Sequence, residues 1–441
     1  MNKTFILLVS FVAALGGLLF GFDTAIISGT IPYITEYFSL NEYMLGWAVS
    51  SLLIGCAIGA VLAGKIADVY GRKTTLIICA VLFAVSGIGA GLSQQLTGFI
   101  GYRLIGGLGV GAAALVSPMY IAEIAPANWR GRLVAFYQLA IVLGILLAYF
   151  SNYVFDGWGA NNWRWMFISQ AVPSVLFLFF LLFVPESPRW MMKKGHEARS
   201  LQVLSKISGD VAARKELAEI KGSFQTHEPA TLKILFSRSY RSVVIIGILV
   251  AVFQQVTGIN SILYYAPVIF RETGLDSSSS LLQTLGIGFV NVVATFIAIG
   301  LVDKVGRKKF LLAGCLLMGL SLVIVGLCFH YKYFSNYIVL LGMLVYVGAF
   351  GCTLGAVTWV YLSEIFPNRI RALALSVATL SLWIADFIVT YTFPVLSQQL
   401  GTAVTMLSYA ALCAIAFLYM QFQVKETKNK SLEEIETLFV K

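Results

Sequence analysis

DVYGRK occupies residues 68–73, and DKVGRK occupies residues 303–308, 235 positions later. Other motifs recur at nearly the same distance. YIAEIAP (120–126) and YLSEIFP (361–367) lie 241 apart, as do Arg130 and Arg371, and Glu186 and Glu426 lie 240 apart. Motifs repeated at one offset mark two homologous halves. Around them the chain is apolar: its 441 residues are 59% hydrophobic and 12% charged, against about 25% charged in a soluble domain. Runs long enough to span a bilayer fall at 5–30, 44–64, 75–94, 97–120, 133–154, 165–184, 242–268, 279–302, 310–330, 335–361, 372–395 and 402–423. Barrel strands would be half as long and alternate in polarity.

The expected fold is therefore an all-α membrane protein. Its twelve transmembrane helices form two pseudo-symmetric six-helix bundles, 1–185 and 242–423. Between them lies a polar cytoplasmic helical domain and linker, 186–241, and a cytoplasmic tail follows at 424–441. Two equivalent halves with an even number of spans are related by an axis along the membrane normal. They leave a cavity near the midplane, where transporters of this design place their substrate.

The net charge of +10 reflects topology and not nucleic-acid binding. Of the 31 basic residues, 27 fall on the side of the N-terminus, leaving Arg164, Arg271 and Lys332 opposite and Arg103 within a span. That is the positive-inside bias, and it makes both termini cytoplasmic. The first apolar run is too long for a signal-peptide core and carries an acid. The six cysteines are scattered singly, without disulfide or metal spacing.

Asp23, in FGFDTAIISG (20–29), stands well inside the first run. A mid-span carboxylate costs roughly 2.5–3.5 kcal/mol on insertion scales, so it needs an interior face and a partner. Either it caps a helix end, or it binds a proton along a polar path with Arg103, the one basic residue in a comparable apolar setting. The second alternative fits its depth in the run. The charged loop motifs also allow two readings. At the turns carrying Asp68, Arg72, Asp303 and Arg307 a carboxylate can meet an arginine from a neighbouring helix, and Glu123 with Arg130, and Glu364 with Arg371, have the same character. These charges are either solvated loop charge or a gating latch, and their duplication favours the latch.

Gln138 in the fifth run, Gln254, Gln255 and Asn260 in the seventh, and Asn291 in the eighth are amides in apolar helices. Unsatisfied amides are costly in lipid, so each must face a partner, a cavity or water. One alone would be an interhelical hydrogen bond. Five, from both halves, fit a polyol site, because an amide offers both a donor and an acceptor. Trp359, after the glycine-rich stretch 348–355 that lets the tenth helix bend, and Trp383 in the eleventh could pack on a pyranose face. Alone, either would be belt or core. RLIGGLGVG (103–111) follows no strand, so its glycines serve helix packing and not phosphate binding.

FGFDTAIISG, the duplicated D-x-x-G-R-K, RLIGGLGVG, PESPRW (185–190) and SEIFP (363–367) together resemble the sugar porter family of the major facilitator superfamily. The likeness spans nearly the whole chain. It is strongest to bacterial proton-coupled xylose and glucose symporters, with facilitative glucose transporters further off. The resemblance implies that Phe20, Gln138, Gln254, Gln255, Asn260, Tyr264, Asn291, Gly355, Trp359 and Trp383 contact sugar. It also implies that Asp23 carries the proton with Arg103 as partner, and that Glu186 and Arg189 of PESPRW join the cytoplasmic gating set. Departures are Leu382 where an amide is usual, KETKN (425–429) in the tail, and Asp386 where relatives tend to carry Asn. Asp386 is either a further sugar ligand or a second titrating site.

The function expected is proton-coupled symport of a monosaccharide by alternating access, and not an enzyme activity. A proton-independent uniporter and a non-transporting sugar sensor are the alternatives. The short tail argues against the sensor, and the acid at position 23 argues against the uniporter. The expected partners are the sugar, the proton as coupling ion and the lipid bilayer, with no nucleic acid, metal or cofactor. The chain is expected to be a monomer. The absence of glycosylation sequons from outward loops points to a bacterial inner membrane.

Overall fold

Lipid offers the backbone no hydrogen-bond partners, so a spanning segment must satisfy its own N–H and C=O groups as a helix. The computed structural model describes residues 2–126, 129–223, 231–334, 337–367, 369–430 and 432–439, except for the side chains of Ser223, Asp303, Leu432 and Glu433. Among these residues the elements are all helical. Twelve stretches are long and apolar enough to cross a membrane: Lys3–Tyr37, Glu42–Tyr70, Arg72–Leu92, Leu96–Ile124, Arg130–Phe155, Asn162–Phe183, Arg241–Glu272, Ser277–Val302, Arg307–His330, Ile338–Ile365, Arg371–Leu400 and Thr402–Gln423. The twelve expected runs fall on these spans one for one.

Contacts group the chain into two compact units. One comprises Met1–Thr24, Gly55–Ile145 and Phe167–Pro229; the other comprises Ala25–Ile54, Leu146–Met166 and Ala230–Lys441.

Several spans are broken, and the breaks lie beside the functional candidates. The seventh divides at Gly258 (φ +94°) into Arg241–Val256 and Ile259–Glu272. The tenth divides at Thr353 into Ile338–Cys352 and Leu354–Ile365, within the stretch whose glycines predict a bend. Each break frees backbone groups that need new partners. Thr257 O, at the end of the first half of the seventh span, accepts from the Tyr346 hydroxyl (2.8 Å), while Gln254 Nε2 donates to Leu354 O (3.0 Å) in the first turn after the other break. Prolines within spans orphan the carbonyl four residues earlier. Pro267 leaves Leu263 O, which accepts from Tyr149 Oη at 2.8 Å; Pro394 leaves Thr390 O, which accepts from Tyr265 Oη at 3.4 Å.

The polar insert is helical, as its composition predicts: Pro188–Lys193, Glu197–Ser208, Asp210–Ser223 and Leu232–Leu235. Leu204, Ala213, Leu217 and Ile220 form a small core of its own. The last span ends at Gln423, before KETKN, and the chain closes with a helix over Leu432–Phe439 that buries Ile435 and Phe439. All six cysteines are free thiols.

Candidate functional site

Asp23 and Arg103, 80 residues apart, meet inside the first unit. Arg103 Nη1 donates to Asp23 Oδ1 and to the Asp23 carbonyl oxygen, both at 2.9 Å. The two side chains are 1% and 0% exposed. The guanidinium also lies 5.8 Å from the centre of the Phe167 ring. Burying either charge alone would cost several kcal/mol, roughly, and mutual pairing is what makes the site tenable.

The second carboxylate oxygen, Oδ2, meets no donor at bonding geometry. It faces Gly106 and Ser86: a Cβ added to Gly106 would stand 2.6 Å from Oδ2 and 2.3 Å from Ser86 Oγ. The Gln170 amide lies alongside and gives a hydrogen bond to Phe83 O (3.2 Å). The site is thus an acid with one oxygen held by a cation and the other turned to a small polar niche. Gln170 and Ser86 escape the sequence reading. The available signal was a lone amide beside Pro173, where the sixth span breaks into Asn162–Ser169 and Ala171–Phe183.

Phe20 and Gln138, both half-buried, belong to the same unit as Asp23. The other sugar-site candidates belong to the second unit, where the structure gathers several of them. Asn260 Nδ2 donates to Gln255 Oε1 (3.0 Å) and to Asp386 Oδ2 (2.7 Å), and Thr390 Oγ1 donates to Asp386 Oδ1 (3.2 Å). Gln254, anchored to Leu354 O, adjoins Gly355 at the break in the tenth span. Asn291 Oδ1 lies 2.9 Å from where a Cβ on Gly351 would stand, so the eighth and tenth spans touch there. Tyr264 and Trp383 are buried, whereas Trp359 is 38% exposed.

The duplicated loop motifs build two clusters with the same plan. Gly71 (φ +98°) and Gly306 (φ +101°) make the left-handed turn between spans, a conformation that glycine adopts without steric cost. Glu186 Oε1 accepts from the backbone N–H of Arg72 (2.8 Å) and Lys73 (3.1 Å). In the second cluster, Glu426 accepts from Arg307 N (2.9 Å) and Lys308 N (3.1 Å). Each acid therefore caps the N-terminus of the next helix, where the first amides have no partner in the chain. Arg72 Nε and Nη2 both reach Glu123 at 2.9 Å; Arg307 Nε and Nη2 reach Glu364 at 3.1 and 2.7 Å. Ser187 donates to Glu123, and Thr427 donates to Glu364 (2.6 Å).

The pairing differs from the expected one. Glu123 and Glu364 do not meet Arg130 and Arg371. Arg130 is exposed, and Arg371 Nε donates to Phe366 O (3.0 Å). The glutamates close the fourth and tenth spans beside the starts of the preceding spans, so they meet the arginines of the glycine turns. Asp68 bonds Arg72 (3.2 Å) and Lys193 (3.0 Å), while Arg189 is exposed. The side chain of its counterpart, Asp303, lies outside the described residues. Partial burial pushes the Glu426 carboxyl up, but the N–H groups of Lys428, Arg307, Lys308 and Thr427 outweigh it and hold the carboxyl below its usual value.

A family model described as "Sugar (and other) transporter" matches residues 9–439. The chain is 40% identical over 443 residues to an arabinose-proton symporter of Bacillus subtilis, covering 99% of this chain and 96% of the relative. It is 40% identical over 476 residues to a D-xylose-proton symporter of Escherichia coli, with coverage of 99% and 96%. Among solved structures, the inward-open xylose transporter XylE from E. coli matches with a TM-score of 0.88 at 40% identity, covering 98% of this chain and all of that one. XylE bound to 6-bromo-6-deoxy-D-glucose matches with a TM-score of 0.83. The chain thus has the major facilitator fold and belongs to the sugar transporter family.

Proposed function

We propose that this chain is a proton-coupled monosaccharide symporter of a bacterial inner membrane, with both termini cytoplasmic, and that it works by alternating access. The observation that carries the proposal is the Asp23–Arg103 pair, an acid and a base joined at 2.9 Å and buried within the spans. The names of the relatives, symporters for arabinose and xylose, support the substrate class and the coupling ion.

In this reading the proton binds Asp23 at Oδ2, the oxygen that the guanidinium leaves open. Neutralising the acid removes the counter-charge of Arg103 and weakens the hold between the first and fourth spans. Sugar is held by Phe20 and Gln138 together with Gln254, Gln255, Asn260, Tyr264, Asn291, Gly355, Trp359 and Trp383. Proton and sugar favour the same arrangement, which is what couples them, and the coupling is reciprocal. The moving parts are the two sequence-related halves, 1–185 and 242–423. The twin clusters of Asp68, Arg72, Glu123 and Glu186, and of Arg307, Glu364 and Glu426, latch the cytoplasmic ends. The protein acts as a monomer.

The test is uptake by proteoliposomes with and without an imposed pH gradient. Asp23→Asn is expected to keep sugar exchange and to lose uphill accumulation entirely. Accumulation that persists in the variant would refute the coupling role and leave a uniporter mechanism.

A further inference from the structure

Asp386 lies mid-way along the eleventh span, 1% exposed, and forms no ion pair among the described residues. Its company is polar but neutral: the Thr390 hydroxyl at Oδ1 and the Asn260 amide at Oδ2. At Oδ2 a carboxylate, or a carboxyl that keeps its proton on Oδ1 beside Thr390, can only accept, so the Asn260 side chain presents its NH2 group to that oxygen. That NH2 has two hydrogens, and both are committed, one to Asp386 and the other to Gln255 Oε1. Two free ends follow. Asn260 is left with Oδ1, an acceptor, and Gln255 with Nε2, a donor.

An amide at position 386 would impose no such order. Its own NH2 could face Asn260, which would turn that side chain over, and Gln255 would turn with it. We propose that Asp386 is a positioning residue that fixes the sense of the Asn260 and Gln255 amides, so that the site offers one acceptor and one donor in a set order. The ligand that fits is a monosaccharide with two neighbouring hydroxyls, one donating to Asn260 and the other accepting from Gln255. The inference rests on the sugar-binding role proposed above and deepens it, because it assigns Asp386 to specificity and not to sugar contact or proton carriage.

The full chain in proteoliposomes can test this by competition. Uptake of labelled D-xylose and D-glucose is challenged with complete sets of their monodeoxy and monodeoxyfluoro derivatives. Fluorine accepts a hydrogen bond but cannot donate one. At the hydroxyl that accepts from Gln255, the fluoro sugar should outcompete the deoxy sugar by about tenfold, the weight of one buried hydrogen bond. At the neighbouring hydroxyl it should bring no gain. In Asp386→Asn this contrast should collapse or change places, while a merely structural role would lower all affinities together.

An unchanged contrast in a transporting Asp386→Asn protein overturns the inference and leaves the transport proposal standing. A parent protein that takes up no sugar from a panel of pentoses and hexoses that includes arabinose overturns both. Should Asp386→Asn not fold, Gln255→Glu decides the matter. It keeps the oxygen facing Asn260 and removes the free donor, so the fluoro advantage must vanish; if the advantage stays, the assigned sense is wrong.

Discussion

Asp23 and Asp386 are both mid-span carboxylates, 0% and 1% exposed, yet they keep different company. Asp23 leans on a guanidinium, with one oxygen bonded and the other open. Asp386 has both oxygens met by an amide and a hydroxyl. Burial alone therefore says little about what an intramembrane acid does. A cation partner makes the charge state matter, because adding a proton undoes an ion pair. A neutral network makes geometry matter, because an acceptor-only group orders the donors around it.

Two acids outside the hydrocarbon extend the contrast. Glu426 is an amide-held carboxylate like Asp386, and Asp68 is a cation-paired one like Asp23 but half exposed. The largest effect is expected at Arg103. Removing one member of a buried pair strands the other, at about 3–5 kcal/mol. Arg103→Leu should lower the melting temperature of the purified protein sharply, and adding Asp23→Asn should restore most of the loss. If the double variant melts no higher than the single one, the pair is not what stabilises the site.

Glu426 should give a smaller effect, and one confined to acid. Its carboxyl is held below its unfolded value of 4.5, so its contribution is complete above that pH and fades as pH falls through the lower folded value. Thermal melts between neutrality and pH 3, roughly, should show Glu426→Gln less destabilised by acid than the parent. Parallel curves for the two proteins would count against the backbone cap. The smallest effect belongs to Asp68, whose side chain and that of Lys193 are each 50% exposed. Exposed pairs are worth about 0–1 kcal/mol, so Asp68→Ala should shift stability within that range. A larger loss would mean that Asp68 orients Arg72 toward Glu123.

The spans were legible because hydrocarbon imposes one rule on every segment that crosses it. The pairing of Asp23 with Arg103 was legible for a related reason: few charges occur inside the apolar runs, and one basic residue was available. The loop clusters were less so. Expecting Glu123 with Arg130 treats seven residues of chain as closeness, but a helix end and a turn intervene. The true partner, Arg72, is 51 residues away in sequence and adjacent across the packed third and fourth spans. Glu186 and Glu426 were visible as a repeated acid, but not as helix caps, since a cap depends on where a backbone N–H points. Gln170 was missed because one amide near a span break resembles many others until its neighbour is known.

The proline sites carry a mechanical consequence. At Pro267 the spare carbonyl of the seventh span is gripped by a phenol from the fifth, so the proline does not leave that stretch of helix slack. Swinging the segment beyond it would mean letting go of Tyr149 and finding another donor before the oxygen meets hydrocarbon. In Tyr149→Phe that grip is gone, and the amide hydrogens past Pro267 should exchange with deuterium faster than in the parent.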